Sequence, residues 1–289
     1  MVQQRRVTVV VDSSSCLPQD LQQASGIIVV PHQLITNDLV YRDGVDIQPG
    51  EFYQLQQNNG SRTTTSAPAP QAFLDAFQQA GEGGNDVLCL TVSPRFSAAT
   101  LDSARIAMRM AQEQDSGQQI SVMDSQAAAG AEGFIALEAA RAATRGATLQ
   151  ELVESTQRLI PRVHLLAFLD TLHYLGRSGK ITKVKAWAGS LLGLKPLTEL
   201  SHGEARLISK PRSRAKAMVQ LLGVAQERMG QSPAHVNVMH ANAPDDAAEL
   251  RQKVESTLNC REIFVSEFTP VMGAHTGPGV LGLAFYADA

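Results

Sequence analysis

The first half of the chain alternates short apolar runs with stretches of helical periodicity, and this alternation limits the possible folds more than any other feature. The apolar runs predict strands at residues 6–12, 26–31, 86–92 and 119–124. Helical periodicity predicts helices at residues 49–57, 70–79, 97–113 and 127–144. The order strand, helix, strand, helix indicates an α/β fold whose sheet is mostly parallel, with right-handed crossovers and helices on its faces.

The second half predicts another α/β unit, with a mixed sheet. A glycine-containing turn at 145–148 and a helix at 149–160 precede strands predicted at 163–169, 197–200, 205–209, 235–239, 262–268 and 280–286. Further helices are predicted at 186–192, 213–228 and 245–257. We therefore expect an N-terminal α/β domain over residues 1–160 and a C-terminal α/β domain over residues 161–289. The junction between two such domains is a common place for a ligand.

Composition excludes several classes of protein. The net charge of −3 gives no basic excess of the kind that a nucleic-acid-binding protein needs. No apolar run is long enough to cross a bilayer, and the N-terminus lacks the cleavage site of a signal peptide. The three cysteines are widely spaced and form no CxxC pair, which argues against a disulfide framework and a zinc site. We therefore expect a soluble protein of the cytoplasm with no metal.

Three short turns are rich in hydroxyl side chains: DSSS at 12–15, TTTSAP at 63–68 and SPRFS at 93–97. The first and third follow predicted strands, so they lie at the carboxyl edge of the sheet, where α/β proteins bind ligands. Hydroxyl and amide donors can hold an anion there without a metal. The simpler interpretation is that these side chains bond the local backbone or cap a helix. We favour it for Ser14 and Ser15 but less clearly for Ser13.

One histidine stands out, because His275 lies in the glycine-rich segment GAHTGPG at 273–279 and on no apolar face. The glycines predict a loop with a tight turn that aims His275 and Thr276 at a ligand, and an imidazole can donate to an anion or act as an acid or base. His240, after a predicted strand, is a weaker candidate. The remaining histidines carry no motif and are predicted to be structural or exposed: His32, His164, His173, His202 and His235.

Two apparent nucleotide motifs fail on inspection. GPGVLG at 277–282 matches the dinucleotide fingerprint, but a strand is predicted after it where a helix is required. GRSGKIT at 176–182 lacks the first glycine of a P-loop and the serine or threonine after its lysine.

Basic residues form either a solvated surface or a docking patch for an acidic or phosphate-carrying partner. They are Lys180, Lys183, Lys185, Lys210, Arg212, Arg214 and Lys216.

Six segments, taken in order, resemble the DegV family, the group that includes FakB, the fatty-acid-binding subunit of bacterial fatty acid kinase. Any one of them is weak evidence, but together they extend over nearly the whole chain. They are VVVDSSSCLP (9–18), TTSAP (64–68), MDS (123–125), LHYLGRSGKI (172–181), GSLLGLKP (189–196) and HTGPG (275–279).

The resemblance implies a two-domain α/β protein that encloses one long-chain fatty acid in an internal tunnel. The ligand-binding residues carried over from the family are Thr65, Ser97 and His275, with Ser66 and Thr276 beside them. The family presents the carboxylate to a separate ATP-dependent kinase subunit, and the acyl phosphate then enters phospholipid synthesis. On this interpretation the chain is not an enzyme and needs no cofactor.

Two points stay open at the level of sequence. The third turn of the family usually reads Ser-Gly-Thr, whereas this chain has Ser-Ala-Ala-Thr at 97–100, so Ser93, Ser97 and Thr100 are all candidates for its hydroxyl. The residues also admit an alternative function, a hydrolase or acyltransferase that uses Ser13 or Ser97 with His275. The chain has no GxSxG motif to support that alternative.

Overall fold

A computed structural model describes residues 6–59, 63–114, 117–178 and 193–288. The helix predicted at 186–192 lies outside the described residues, as do three lysines of the basic set, Lys180, Lys183 and Lys185.

Strands and helices alternate along much of the described chain. The strands are β1 Val7–Asp12, β2 Ile28–Val30, β3 Gln33–Thr36, β4 Leu39–Arg42, β5 Thr64–Ser66, β6 Asp86–Thr91, β7 Ile120–Asp124, β8 His164–Phe168, β9 Leu197–Ser201, β10 Glu204–Ser209, β11 Ala234–His240, β12 Cys260–Glu267 and β13 Leu281–Ala287. The helices are α1 Gln19–Ser25, α2 Pro49–Asn59, α3 Pro70–Gly81, α4 Pro94–Glu113, α5 Ala129–Thr144, α6 Leu149–Leu159, α7 His173–Ser178, α8 Arg214–Met229, α9 Pro244–Thr257 and α10 Pro270–Thr276.

The first sheet is parallel, as predicted, with strand order β2-β1-β6-β7. Every residue of β6 is buried, which matches the apolar run at 87–90 in its centre. One face of the sheet packs on α3 and α4 through Val10, Phe73, Phe77 and Ala104. Helix α5 covers the other face. The β1, β6 and β7 strands therefore end at one edge, where the turns that follow them meet.

The second sheet is mixed, which confirms the prediction of a second α/β unit. Its order is β10-β9-β8-β13-β11-β12, and only the pair β11 and β12 is parallel among its described ladders. Helices α8 and α9 pack on one face through Leu221 and Leu250, which contact a core that includes Val236 and Phe285. The opposite face turns toward α5 and the first sheet.

Helix α5 is shared by the two sheets. A Cβ atom on Gly130 would lie 2.6 Å from the Asn237 Nδ2 atom and 2.7 Å from the Met239 Sδ atom, so only glycine allows this approach to the second sheet. On the same helix, the ring of Phe134 packs edge-on against Tyr286 with 5.3 Å between centroids. The alanines and glycines of α5 are therefore explained by close packing on both sides.

A small third sheet was not predicted. It is antiparallel, with order β4-β3-β5, and the turn between β3 and β4 places Asn37 and Asp38 in the left-handed region at φ 50° and 61°. The predicted turn at 63–68 therefore contains a strand, β5. The loop predicted around His275 was also wrong in part, because α10 ends at Thr276 and the turn begins only at Gly277. These elements have three to seven residues, too few to show a period.

Candidate functional site

A deep pocket lies between the carboxyl edge of the first sheet and the strands β8, β9 and β10 of the second. It holds about 1040 Å³ of empty space, including its opening to solvent. Its lining is mostly apolar and includes Val92, Phe96, Leu165, Ala167, Leu169, Leu175, Leu200, Ala205, Phe268, Val271, Met272 and Val280. Such a lining suits a long apolar ligand.

Polar side chains also line the pocket. The structure brings together all five residues that the sequence singled out, namely Thr65, Ser66, Ser97, His275 and Thr276. Three polar residues that the sequence analysis did not propose as ligands, Ser14, His32 and Thr198, join them in the lining. The pocket therefore combines hydroxyl and imidazole groups with an apolar interior.

Thr65 and His275 form the central contact of this polar group. The Thr65 Oγ1 atom lies 2.9 Å from the His275 Nε2 atom, although the two residues are 210 positions apart. Thr65 is held on β5 by its pairing with Leu34 of β3, and His275 lies in the last turn of α10. A hydroxyl and an imidazole at this separation can both reach one ligand oxygen.

Ser97 occupies a break in α4. Its backbone dihedrals, φ −152° and ψ 85°, are not helical, and its Oγ atom accepts a hydrogen bond of 2.8 Å from the buried Thr100 hydroxyl. Because Thr100 donates, the Ser97 proton is not used in that bond. Ser93 instead caps α4 by accepting from the Arg95 N–H. Of the three candidates, Ser97 is therefore the one that the structure places in the pocket lining.

The DSSS turn is an anchor at the end of β1. Asp12 is fully buried and accepts hydrogen bonds from the backbone of Ser14 at 3.0 Å and of Val92 at 2.8 Å. Its carboxylate also lies 3.1 Å from the His32 Nε2 atom. Burial raises the pKa of Asp12, but the His32 charge and these donors outweigh it and leave the pKa below its ordinary value. Asp12 is therefore an ionised buried carboxylate.

His32 was predicted to be structural or exposed, and it is buried beside the pocket. Burial lowers its pKa, but the charge of Asp12, hydrogen bonds to Asp12 and to the Ser66 backbone, and the charge of Asp43 raise it overall. A charged ring, with a proton on each nitrogen, serves both acceptors. The sequence carried one usable signal: His32 follows β2, whose carboxyl end lies at the same edge of the sheet.

A second carboxyl group beneath the turn holds a proton. The Ser14 Oγ atom lies 2.6 Å from Asp12 Oδ1 and 2.8 Å from Glu132 Oε2, and one hydroxyl proton cannot serve both. Burial and the nearby charge of Asp12 raise the pKa of Glu132 well above its ordinary value. The raised pKa favours the neutral form of Glu132, which can donate to Ser14. The local-backbone interpretation of Ser14 was incomplete, since its hydroxyl contacts two acidic side chains.

Ser13 and His275, which the alternative hydrolase would use together, each have a different partner in the structure. The Ser13 hydroxyl donates to Asp43 at 2.6 Å, whereas the His275 ring contacts the Thr65 hydroxyl at 2.9 Å. His240, the weaker candidate, accepts the Ala243 N–H through Nδ1 and is not part of the described pocket lining.

The segment after His275 is a tight turn followed by a strand. Gly277 and Gly279 adopt left-handed conformations, with φ 76° and 83°, and β13 follows them, which confirms the rejection of the dinucleotide motif. Arg214, assigned above to a solvated or docking surface, instead donates to the Gly279 carbonyl oxygen at 2.6 Å and to Asp170 at 3.1 Å. It also pairs with Asp246. Arg214 therefore stabilises the turn through its hydrogen bond to the Gly279 carbonyl oxygen.

Within the described ranges, no cluster of three or more His, Cys, Asp or Glu side chains could hold a metal ion. In the same residues, no helix is both long and apolar enough to cross a membrane.

Comparison with known proteins decides the family. A family model described as an uncharacterised protein of the DegV family matches residues 6–288. The chain belongs to the DegV family. A DegV domain-containing protein of Streptomyces coelicolor is 34% identical over 281 residues, which cover 96% of this chain and 98% of that protein.

Solved structures of other DegV proteins share the fold. A DegV family protein from Thermus thermophilus, described as binding fatty acid, is 33% identical, with a TM-score of 0.89 over 98% of this chain and 100% of its own. A stearic-acid-binding protein from Eubacterium ventriosum is 26% identical, with a TM-score of 0.89 over 96% of this chain and 97% of its own. The two-domain α/β fold with one parallel and one mixed sheet is thus that of the DegV family.

Proposed function

We propose that this DegV protein binds one long-chain fatty acid in the pocket between its two sheets. The carboxylate is held by Thr65, Ser97 and His275, with Ser66 and Thr276 beside them. The observation that carries the proposal is a mostly apolar pocket whose lining includes these hydroxyl groups and the His275 imidazole. The fatty-acid-binding proteins of Thermus thermophilus and Eubacterium ventriosum, which share the fold, support it.

The energetics of the pocket suit a carrier. Each buried methylene contributes about 0.8 kcal/mol, so a chain of sixteen to eighteen carbons supplies on the order of 10 kcal/mol before ordering costs. Within the described part of the chain, the pocket lining contains no lysine or arginine. Hydroxyl donors satisfy a carboxylate without the stronger grip of a bidentate guanidinium. The ligand is therefore held mainly by its tail, and its head stays available for reaction.

The proposal extends to a partner. The bound carboxylate is presented to an ATP-dependent fatty acid kinase subunit, one of its oxygens attacks the γ-phosphorus of ATP, and ADP leaves. The resulting acyl phosphate passes to phospholipid synthesis, and the DegV protein itself catalyses no step and needs no cofactor. Support comes from the resemblance to FakB. The free state of Cys16, Cys89 and Cys260 agrees with a cytoplasmic location.

Native mass spectrometry followed by lipid extraction tests binding. We expect one fatty acid per chain, and a Thr65→Val variant that binds about tenfold more weakly because a hydrogen bond to a charged group is worth about 1.5 kcal/mol or more. Thr64→Val is the matched control, since Thr64 is exposed and adjacent on β5. A protein that is empty and does not bind added stearic acid would exclude the carrier.

The kinase step has its own assay. The loaded protein is incubated with ATP and a purified fatty acid kinase subunit, and acyl phosphate is trapped as a hydroxamate. Product is expected only when all three components are present. The alternative function is tested by offering a p-nitrophenyl acyl ester to the protein alone. Turnover that disappears in His275→Ala, but not in the exposed-site variant His202→Ala, would favour the hydrolase.

A further inference from the structure

A buried histidine, His32, and a buried aspartate, Asp43, connect separately to the two halves of the Thr65–His275 contact. We infer that His32 and Asp43 are positioning residues: His32, held by Asp12, sets the position of Thr65, and Asp43, held by Ser13, sets that of His275. This inference rests on the proposed function, because it assigns these residues a role in carboxylate binding. Neither residue belongs to a motif that the sequence analysis singled out.

The first arm is a chain of hydrogen bonds from Asp12 through His32 to β5. The His32 ring contacts Asp12 Oδ1 at 3.1 Å and donates to the backbone of Ser66, the neighbour of Thr65. Strand β5 has three residues and, among the described strands, pairs only with β3. Such a short edge strand has few backbone bonds of its own, so the His32 contact is a substantial part of what fixes Thr65.

The second arm runs from Ser13 through Asp43 to α10. Asp43 Oδ2 accepts the Ser13 hydroxyl at 2.6 Å, and Oδ1 accepts the Val271 N–H at 3.0 Å. Val271 lies in the first turn of α10, where backbone N–H groups have no partner within the helix. His275 follows four residues later, one turn along the same short helix. The carboxylate of Asp43 thus fixes the start of the helix whose end carries the imidazole.

The two arms share one anchor. The Ser13 Oγ atom that donates to Asp43 also accepts the His32 backbone N–H at 3.0 Å. Ser13 follows Asp12, which is bonded to the Val92 backbone at the end of β6. Both sides of the 2.9 Å Thr65–His275 contact are therefore tied to the edge of the parallel sheet.

A double-mutant cycle separates positioning from general destabilisation. Stearic acid affinity is measured by fluorescence displacement for Asp43→Asn in the wild-type and His275→Ala backgrounds, and for His32→Gln in the wild-type and Thr65→Val backgrounds. Each variant should lose about fivefold or more in affinity alone, and less than about twofold where its dependent side chain is absent. Equal losses in both backgrounds would overturn the inference.

Ser15→Ala is the matched control, because it changes the same turn at a hydroxyl with no hydrogen-bond partner among the described residues. It should bind stearic acid like the wild type. If Asp43→Asn does not fold, Ser13→Ala replaces it, since it removes the donor to Asp43 and leaves the carboxylate. For His32→Gln, Asp12→Asn is the corresponding second variant. A stable second variant with wild-type affinity would overturn that arm.

The positioning role can also be tested in the ligand-free protein. This test distinguishes a failure of the inference from a failure of the proposed function. If the wild-type protein binds no stearic acid, the proposed function fails. The ¹⁵N chemical shifts of the His275 imidazole are then compared between the wild type and Asp43→Asn or Ser13→Ala. The same chemical shifts are compared between the wild type and His32→Gln. Shifts that move in these variants but not in Ser15→Ala support the inference, and unchanged shifts overturn it.

Discussion

A charged imidazole in a fully buried position makes the stability of this protein depend on pH. His32 is only 5% exposed and faces the carboxylates of Asp12 and Asp43 and the backbone of Ser66. When the ring loses a proton, it can no longer donate to both Asp12 and Ser66. The neutral form therefore leaves one buried acceptor without its donor, which is costly in a low-dielectric site.

We predict that His32 stabilises the protein less at alkaline pH. Its pKa in the folded protein is raised above the ordinary value, so its contribution is complete below about pH 6.5 and is lost as the pH rises through the folded pKa. Asp12, whose pKa is lowered, loses its contribution only in acid. Urea unfolding of the wild type and His32→Asn from pH 6 to pH 10 measures this. A difference that does not change with pH would contradict the prediction.

Glu132 gives the opposite test, because a neutral acid can be replaced by an amide. Since the raised pKa favours a protonated Glu132, Glu132→Gln keeps both that charge state and a donor for Ser14. We expect the free energy of unfolding to change by less than about 1 kcal/mol, whereas Glu132→Ala should lower it by about 2–3 kcal/mol. Chemical denaturation at pH 7 checks both. A large loss in Glu132→Gln would show that the carboxyl group is ionised.

At the scale of helices and strands, the sequence predicts long elements well and short ones poorly. The apolar run over β6 and the amphipathic helix α4 are found within a few residues because burial imposes their pattern. The elements that the pattern missed are β3, β4, β5, α1, α7 and α10, none longer than seven residues. Their positions are set by contacts with the rest of the fold, and a short stretch of sequence does not contain that information.

The same limit applies to the site. Thr65, Ser97 and His275 stand in recognisable segments, so the sequence could propose them. The buried residues behind the site could not be predicted, because their contacts join positions far apart in the sequence. Ser14 and Glu132, for example, are 118 positions apart. The break at Ser97 falls where the predicted SPRFS turn meets the helix predicted at 97–113, whereas the short helical turn before it, which begins at Pro94, was not predicted.

Close packing of α5 against the second sheet leads to a prediction for this element. Gly130→Ala would place its Cβ atom 2.6 Å from Asn237 Nδ2, so we expect a loss of about 1–3 kcal/mol in the free energy of unfolding. Gly223→Ala in α8 is the matched control, since a Cβ atom there meets nothing within 4 Å. Alanine favours the helix, so the control should gain up to about 1 kcal/mol. The free energy of unfolding of both variants is measured by urea denaturation. Equal effects would mean that α5 is less closely packed.

At the scale of the whole molecule, the two halves share a hydrophobic core. One cluster joins Val9 and Leu90 of the first sheet, Phe134 of α5, and Leu165 and Tyr286 of the second sheet. The division into domains at residues 1–160 and 161–289 stays a prediction, but a shared core of this kind couples their unfolding. The pocket lies between the sheets, so a ligand bound there contacts both.

We therefore predict one thermal transition, which a fatty acid shifts as a whole. Stearic acid at about one hundred times its Kd should add about 2.7 kcal/mol to the free energy of unfolding. For a chain of this size that corresponds to a rise in Tm of roughly 4–5 °C. Differential scanning calorimetry with and without stearic acid measures it, and Thr65→Val should show a smaller shift than Thr64→Val at the same ligand concentration. Two transitions, of which only one moves, would mean that the ligand binds within one half alone.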